Sequence, residues 1–368
     1  MLLAIGLVVV VIGTVLFNFL SPSFTPLASN WGQIDFTLNL TIAMTGIVFV
    51  VINLLMAYFV LRYRQQPGKK AAFEPENKKL ELWLIGVTAI GVVVLLAPGL
   101  FVYSEFVNTP KDALVVEAVA QQWQWSFRLP GQDGEFGKTS ISLINFQNPF
   151  GIDPEDPNGQ DDVLVPGNEI HLPLNRPVKV LLRSKDVLHD FYVPEFRVKM
   201  DAIPGAISSL WFTPTKAGTY ELACAEYCGL GHHTMRGVVV VEAQQTFQDW
   251  VAAQAIFSEE VAEAGTNTGQ DPVVVLGQQL AQTKGCLGCH TTDGTPSVGP
   301  SWKGLFGKQE SLSDGTTVAV DEAYLAESIA DPSAKVVENF PPAMPPYTLN
   351  EEDLEAIIAY IKSLTGND

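Results

Sequence analysis

Two unbroken apolar runs near the N-terminus constrain this chain more than any other feature. They are FTLNLTIAMTGIVFVVINLLMAYFVL, from Phe36 to Leu61, and LELWLIGVTAIGVVVLLAPGLFVY, from Leu80 to Tyr103. Each is long enough to cross a hydrocarbon core of about 30 Å as a helix rising roughly 1.5 Å per residue. Within a bilayer every backbone polar group needs a partner inside the segment, which leaves a helix as the solution for a single run. The intervening loop holds Arg62, Arg64, Lys69, Lys70, Lys78 and Lys79. A short basic loop stays on the cytoplasmic side, so residues 36–103 are expected to form a transmembrane helical hairpin with both outer ends across the membrane. Everything after Ser104 is then extracytoplasmic. A third apolar run, Leu2 to Leu20, lacks a basic flank and a small-x-small cleavage site. Residues 1–20 therefore fit either a signal peptide or an extra transmembrane helix.

The chain has 368 residues and a formal net charge of −18. From Asp271 onward acids outnumber Lys plus Arg nearly three to one. Such a surface repels phosphate backbones and argues against nucleic acid as a partner. It suits either plain solubility or electrostatic steering of a basic protein, such as a soluble cytochrome donor.

Between residues 112 and 243 the pattern changes to short runs rich in Val, Leu, Tyr and Trp, punctuated by Gly, Pro, Asn and Asp. Examples are 114–127, 178–184, 218–225 and 237–243, which together predict an antiparallel β-sandwich or barrel. The acidic loop at 153–162 offers oxygen ligands suited to calcium, but it lacks EF-hand spacing and reads better as a solvated insertion. Residues 244–271 read as a short helix, Gln244 to Phe257, followed by an acidic, small-residue linker. Residues 272–368 begin with one helical run and end with another, in which Leu354, Ile357, Ile358 and Ile361 recur at helical spacing.

All four cysteines fall in two pairs, each trailed by histidine. Cys224-Ala-Glu226-Tyr-Cys228-Gly-Leu-Gly-His232-His233-Thr-Met235 gathers two thiols, imidazoles and a thioether, a soft set that suits copper. Two cysteines four apart can bridge two metals. His232 and an upstream His189, just after a strand, would cap them, with Met235 and the Glu226 carbonyl as weak outer ligands. A Cys224–Cys228 disulfide and a single zinc remain alternatives. The second pair, Cys286-Leu-Gly-Cys289-His290, is the haem c attachment pattern. Met344, the sole methionine after Met235, is its candidate distal ligand. A His–Met axial pair raises potential and suits electron transfer.

Residues 36–242 resemble subunit II of haem–copper cytochrome c oxidases: a transmembrane hairpin and a cupredoxin-like Greek-key sandwich holding the dinuclear copper centre CuA. The family's Cys-x-Glu-x-Cys-x3-His-x2-Met pattern falls on Cys224, Glu226, Cys228, His232 and Met235, and its upstream ligand on His189. The adjoining His233 does not fit that spacing. Val193-Pro194 and Lys199-Met-Asp201-Ala-Ile-Pro204-Gly205 continue the resemblance, although Ala206 stands where the family commonly has arginine. Gln122-Trp123-Gln124-Trp125 is similar to the family's aromatic segment, with Gln124 in place of its usual Tyr. The resemblance implies that Trp123 carries electrons from a docked donor, and that the Glu226 carboxylate helps hold a magnesium shared with subunit I. It also implies that Glu81 stands at the cytoplasmic mouth of a proton path. Residues 272–364 resemble a class I cytochrome c of all-α fold, in which the Pro300 carbonyl accepts a hydrogen bond from His290.

Together the two resemblances imply the electron-input subunit of a caa3-type cytochrome c oxidase in a bacterial inner membrane. Its partners would be subunits I and III and a cytochrome donor. Electrons would pass from haem c to CuA and on to oxygen reduction and proton pumping in subunit I. Two alternatives are the same module on a nitric oxide reductase, and a membrane-tethered carrier with no catalytic partner.

Overall fold

The structure, a computed structural model, describes residues 1–21, 25–70, 75–144, 148–259, 271–295 and 297–364. It divides into two units, Met1–Lys111 with Glu195–Arg197, and Asp112–Pro194 with Val198–Asp368.

The first unit contains three helices, α1 (Leu2–Leu20), α2 (Gly32–Arg62) and α3 (Lys78–Phe106). All three are long and apolar enough to cross a membrane. The Asn77 side chain starts α3 by accepting the Leu80 amide, and Glu81 places its charge in the first turn, where the helix dipole favours an acid. Helix α1 packs on α2, and Ala4, Val11 and Ala57 are buried. Small side chains allow close helix approach where no hydrophobic effect drives it. Trp31, 1% exposed, packs on Phe106 with ring centroids 5.3 Å apart. The Arg197 guanidinium forks onto the Asp35 carboxylate, Nε to Oδ1 at 2.6 Å and Nη2 to Oδ2 at 3.0 Å.

The second unit opens with a β-sandwich. One sheet runs in the order β11-β3-β2-β1-β5-β8 and the other β4-β10-β9-β6-β7. The strands are β1 (Leu114–Gln121), β2 (Gln124–Leu129), β3 (Val163–Val165), β4 (Glu169–Pro173), β5 (Val178–Ser184), β6 (His189–Val193), β7 (Val198–Ala202), β8 (Ser208–Phe212), β9 (Gly218–Cys224), β10 (Arg236–Glu242) and β11 (Ala255–Ile256). Period-two alternation turns Val178, Val180 and Leu182 inward from one sheet, and Val239 and Val241 inward from the other. The expected purely antiparallel pairing is corrected at two places, since β1–β5 and β4–β10 are parallel. A chain that alternates between sheets returns beside an earlier strand by crossover rather than by hairpin, and direction then follows from the crossover.

Arg128, 3% exposed, lies between Glu117 (2.7 Å) and Asp162 (2.8 Å), and Arg183 closes on the same Glu117. Two cations and two acids buried together leave no net charge. The group ties the insertion after β2 to the sheet, since Arg128 also donates to the Gly137 carbonyl. Burial pushes the Asp162 carboxyl up to about 6 against the pull of Arg128. Asp153, Asp156 and Asp161 accept backbone amides in the turns, Asp153 that of Glu155. Asp156 accepts the amides of Lys138 and Asn158, and Asp161 accepts that of Gln132. Among the described residues, no acid of this loop belongs to a metal-capable cluster.

The helix expected over Gln244–Phe257 is shorter. Helix α4 covers Gln244–Ala252, after which β11 adds to the free edge of β3, with Ala255 opposite Leu164. A sheet edge offers hydrogen bonds that a two-turn helix end cannot, and Phe257 is then buried beside Val119, Phe150, Ile152 and Leu164. Residues 260–270 of the expected linker lie outside the described residues.

The C-terminal part holds helices α5 (Pro272–Thr283), α6 (Glu322–Ala330) and α7 (Glu351–Ser363). Asp271 caps α5, with Pro272 at its first turn, and Asn350 caps α7 ahead of Glu351, Glu352 and Asp353. Ile357, Ile358, Tyr360 and Ile361 of α7 form one core with Trp302, Leu305, Tyr324 and Leu325. Helix α5 crosses α7 at Gly277, where an added Cβ would lie 1.8 Å from the Ala356 carbonyl oxygen. One hairpin, β12 (Gln309–Ser311) with β13 (Thr317–Ala319), departs from the all-α expectation. Its turn, Ser313-Asp314-Gly315-Thr316, places Gly315 at φ 84°, a conformation glycine adopts without strain.

Candidate metal centre and haem pocket

The loop between β9 and β10 folds back so that its sulfur and nitrogen atoms converge with His189 from the start of β6. Cys224 Sγ and Cys228 Sγ stand 3.7 Å apart. His189 Nδ1 lies 3.9 Å from Cys224 Sγ and 3.1 Å from Met235 Sδ. His232 Nδ1 lies 3.5 Å from Cys228 Sγ, which is also 3.9 Å from Met235 Sδ. The Glu226 carbonyl oxygen lies 3.2 Å from Cys224 Sγ. His189 and Met235 are fully buried, and Cys224 and Cys228 nearly so. His233 is exposed.

Both thiols are free rather than joined, which removes the disulfide alternative from this structure. The Cys228 thiol and His189 both bond Cys224 and hold it down to about 3, against the cost of burial. Cys228 is pushed up by its bond to Cys224 and by burial. A thiolate is the metal-binding form, so both thiols would give up their protons to a bound cation. The donor set is two sulfurs, two imidazole Nδ1 atoms, one thioether and one carbonyl. Soft ligands of this kind select copper or zinc over magnesium or calcium.

Asp186 was not among the residues singled out from the sequence. Its Oδ1 lies 2.8 Å from His189 Nε2, and its Oδ2 accepts the Gln122 amide at 2.7 Å. Burial lowers the His189 imidazole, but its bonds to Asp186 and Cys224 outweigh that and leave it raised. A carboxylate on the outer nitrogen fixes ring and tautomer, freeing Nδ1 for a metal. The only sequence signal was its place three residues before His189 in a tight turn. Asp186→Asn is expected to weaken copper binding roughly 10- to 100-fold, the usual cost of losing such a partner. Copper competition titration of the variant checks this.

The second cavity lies in the helical part. It is lined by Cys286, Cys289, His290, Met344 and Trp302, among others, and by Trp123 from the sandwich. The His290 Nδ1–H donates to the Pro300 carbonyl at 2.8 Å, so Nε2 is left to bind iron. The ring stacks on Trp302, 5.1 Å between centroids and 24° between planes. A Cβ on Gly299 would lie 2.6 Å from the imidazole, which explains a glycine before Pro300. Burial pushes the Cys286 thiol up to about 11.

Trp123, 8% exposed, belongs to both sites. Its indole Nε1–H donates to the Cys228 carbonyl at 3.3 Å, while its ring lines the haem cavity. Glu226 is half-buried on the same loop as the cysteines. Glu81 is exposed in the first turn of α3.

Residues 114–243 match the model of the cytochrome c oxidase subunit II periplasmic domain, and residues 274–365 that of cytochrome c. The alternative cytochrome c oxidase subunit 2 of Bradyrhizobium diazoefficiens is 49% identical over 277 residues, covering 74% of this chain and 100% of that protein. This chain belongs to the cytochrome c oxidase subunit II family. The cytochrome c oxidase subunit 2 of Alkalihalophilus pseudofirmus is 26% identical over 334 residues, 88% of this chain and 85% of that one. The chain is thus a subunit II fused to a cytochrome c domain, part of an oxidoreductase with an electron-input role. Its copper is expected in the sandwich and its haem in the helical part. The three apolar helices and the periplasmic domain make it a membrane protein with extracytoplasmic domains.

Proposed function

We propose that this chain is the electron-input subunit of a caa3-type cytochrome c oxidase in a bacterial inner membrane. When bound, the covalent haem c and the dinuclear CuA centre would relay single electrons towards subunit I, where oxygen is reduced with proton pumping. One observation carries the reading: a single indole, Trp123, bonds the loop of one site and lines the cavity of the other.

The roles of the chain's own residues follow from chemistry. Cys224 and Cys228 would bridge the copper pair, and His189 and His232 would cap it. Met235 and the Glu226 carbonyl would be weak outer ligands. Two thiolates shared in this way would spread charge over the bound metal, so that the chain's own ligands need move little on a change of oxidation state. Burial of four of these ligands keeps water away and the site rigid. Cys286 and Cys289 would hold the haem, with His290 and Met344 as axial ligands, and the Pro300 carbonyl would fix the proximal ring. Trp123 gives a low-barrier aromatic path between the sites. The Glu226 carboxylate would help hold a magnesium shared with subunit I. Subunit III and a cytochrome donor, steered by the acidic haem domain, complete the assembly.

Helix α1 is proposed as a third, retained span, supported by its packing on α2. Glu81 is proposed as the cytoplasmic mouth of a proton path, supported by its place at the start of α3 after the basic loop. An acid at that depth is expensive without a task or an interface to sit in.

The test is purification of the whole complex with metal and haem analysis and gas-consumption assays. A copper pair and covalent haem c with oxygen consumption, and slowed turnover in Glu81→Gln, are expected. Zinc or a single copper would overturn the CuA assignment. Reduction of nitric oxide in place of oxygen would move the module to the other branch of the haem–copper class.

A further inference from the structure

The haem-attachment loop lies against Gln122 and Trp123, and the contact is made by two glycines. A Cβ on Gly288 would stand 3.1 Å from the Trp123 amide nitrogen and 3.5 Å from its ring carbon Cε3. One on Gly285 would stand 2.8 Å from the Gln122 carbonyl oxygen. Gly285 has a conformational reason to be glycine, with φ at +77°. Gly288 has no such reason, since its φ is not in the left-handed region. Haem attachment supplies no reason either, because its bonds run through Cys286, Cys289 and His290 alone. What the absent side chain permits is close approach of the loop to Trp123.

Beside this contact stands Gln121, 9% exposed at the end of β1. Its Nε2–H donates to the Gln282 carbonyl in the last turn of α5 at 2.8 Å. Lys185 Nζ donates to its Oε1 at 3.2 Å, which settles which end of the amide faces which partner. The next residue repeats the device in the other direction. Gln122 Nε2–H donates to the Cys228 carbonyl at 2.7 Å, and its backbone N–H to Asp186, the carboxylate behind His189. Two successive glutamines next to Trp123 therefore reach one carbonyl in each redox domain.

We propose that Gln121 and Gly288 are positioning residues that seat the cytochrome c domain directly on Trp123, so that docking of donor on acceptor is built into the fold of this one chain. A buried side-chain hydrogen bond to a backbone carbonyl is geometrically strict. A glycine face leaves the shortest through-space gap. The proposal rests on the reading of the two cofactor sites given above.

The test uses the complete complex with Gln121→Glu, Gly288→Ala and Gly288→Gln. Two quantities are read: amide hydrogen exchange over 282–289, and the rate at which one electron passes from flash-reduced haem to the oxidised copper pair, with no proton exchanged. Gln121→Glu keeps the shape but turns a donor into an acceptor facing a carbonyl. Gly288→Gln inserts a wedge, and Gly288→Ala asks for a few tenths of an ångström. Faster exchange is expected in all three, graded from Ala to Gln at position 288. A several-fold slower transfer rate is expected for Gln121→Glu and Gly288→Gln, because a looser seat lengthens the gap that the electron must cross. Haem and copper absorption should stay unchanged. Unaltered exchange and rate in both variants would overturn the proposal. If the wedge impairs haem attachment, Gln121→Glu, remote from the thioether bonds, decides alone. Failure of the cofactor reading would appear separately, as missing copper or haem in the unsubstituted complex.

Discussion

Cys228→Ser is expected to abolish the proposed dinuclear copper site and with it nearly all oxidase turnover. Cys228 Sγ lies 3.5 Å from His232 Nδ1, 3.7 Å from Cys224 Sγ and 3.9 Å from Met235 Sδ. Serine presents a hard oxygen that stays protonated at neutral pH and cannot bridge two soft ions. Losing an outer partner of a ligand costs roughly 10- to 100-fold, so losing a bridging ligand should cost at least about 100-fold in turnover. Elemental analysis and the near-infrared absorption of the purified complex check this. The haem spectrum should be untouched, because Cys286, Cys289 and His290 line a separate cavity. Retention of a full copper complement would mean that the two thiols do not share the metal.

Gly277→Val should be nearly as damaging, by a different route. A Cβ at Gly277 would lie 1.8 Å from the Ala356 carbonyl oxygen and 2.8 Å from Tyr360 Cβ. Backbone cannot step aside as a flexible side chain can, so helices α5 and α7 would have to separate. Overpacking of this kind costs about 3 kcal/mol or more, a large share of a small domain's stability. The expected result is loss of covalent haem and a lowered denaturant midpoint for the haem band, with the copper site retained. The sign is diagnostic. At an exposed helix position, replacing glycine would instead stabilise by up to about 1 kcal/mol.

Much of this was legible in the chain before any fold was known. The spans at 36–61 and 80–103 became helices Gly32–Arg62 and Lys78–Phe106, because apolar length and flanking charge are local properties. Cys224, Cys228, His232 and Met235 lie within one loop, so their spacing already implied convergence. The same held for Cys286, Cys289 and His290. The His290 contact with Pro300 was also foreseen, and stands at 2.8 Å.

Other features were out of reach. Nothing in a run of short strands shows that β5 lies parallel to β1, or that Gln244–Phe257 divides into a helix and an edge strand. Asp186 is one acid among many until the turn sets it 2.8 Å from His189. Gly277 and Gly288 look like any other glycines, since what they exclude is supplied by residues about 80 and 165 positions away, at Ala356 and Trp123.

The sequence by itself determined the membrane hairpin, the two soft-ligand clusters and the class of chemistry they carry, because each rests on residue type and short spacing. The tertiary structure alone decided that Asp186 backs His189 and that Trp123 touches both sites. It also decided that Gln121 reaches the Gln282 carbonyl and Gln122 the Cys228 carbonyl. Those facts depend on chain crossings between distant segments, where packing and hydrogen-bond geometry choose among arrangements that local pattern leaves equal.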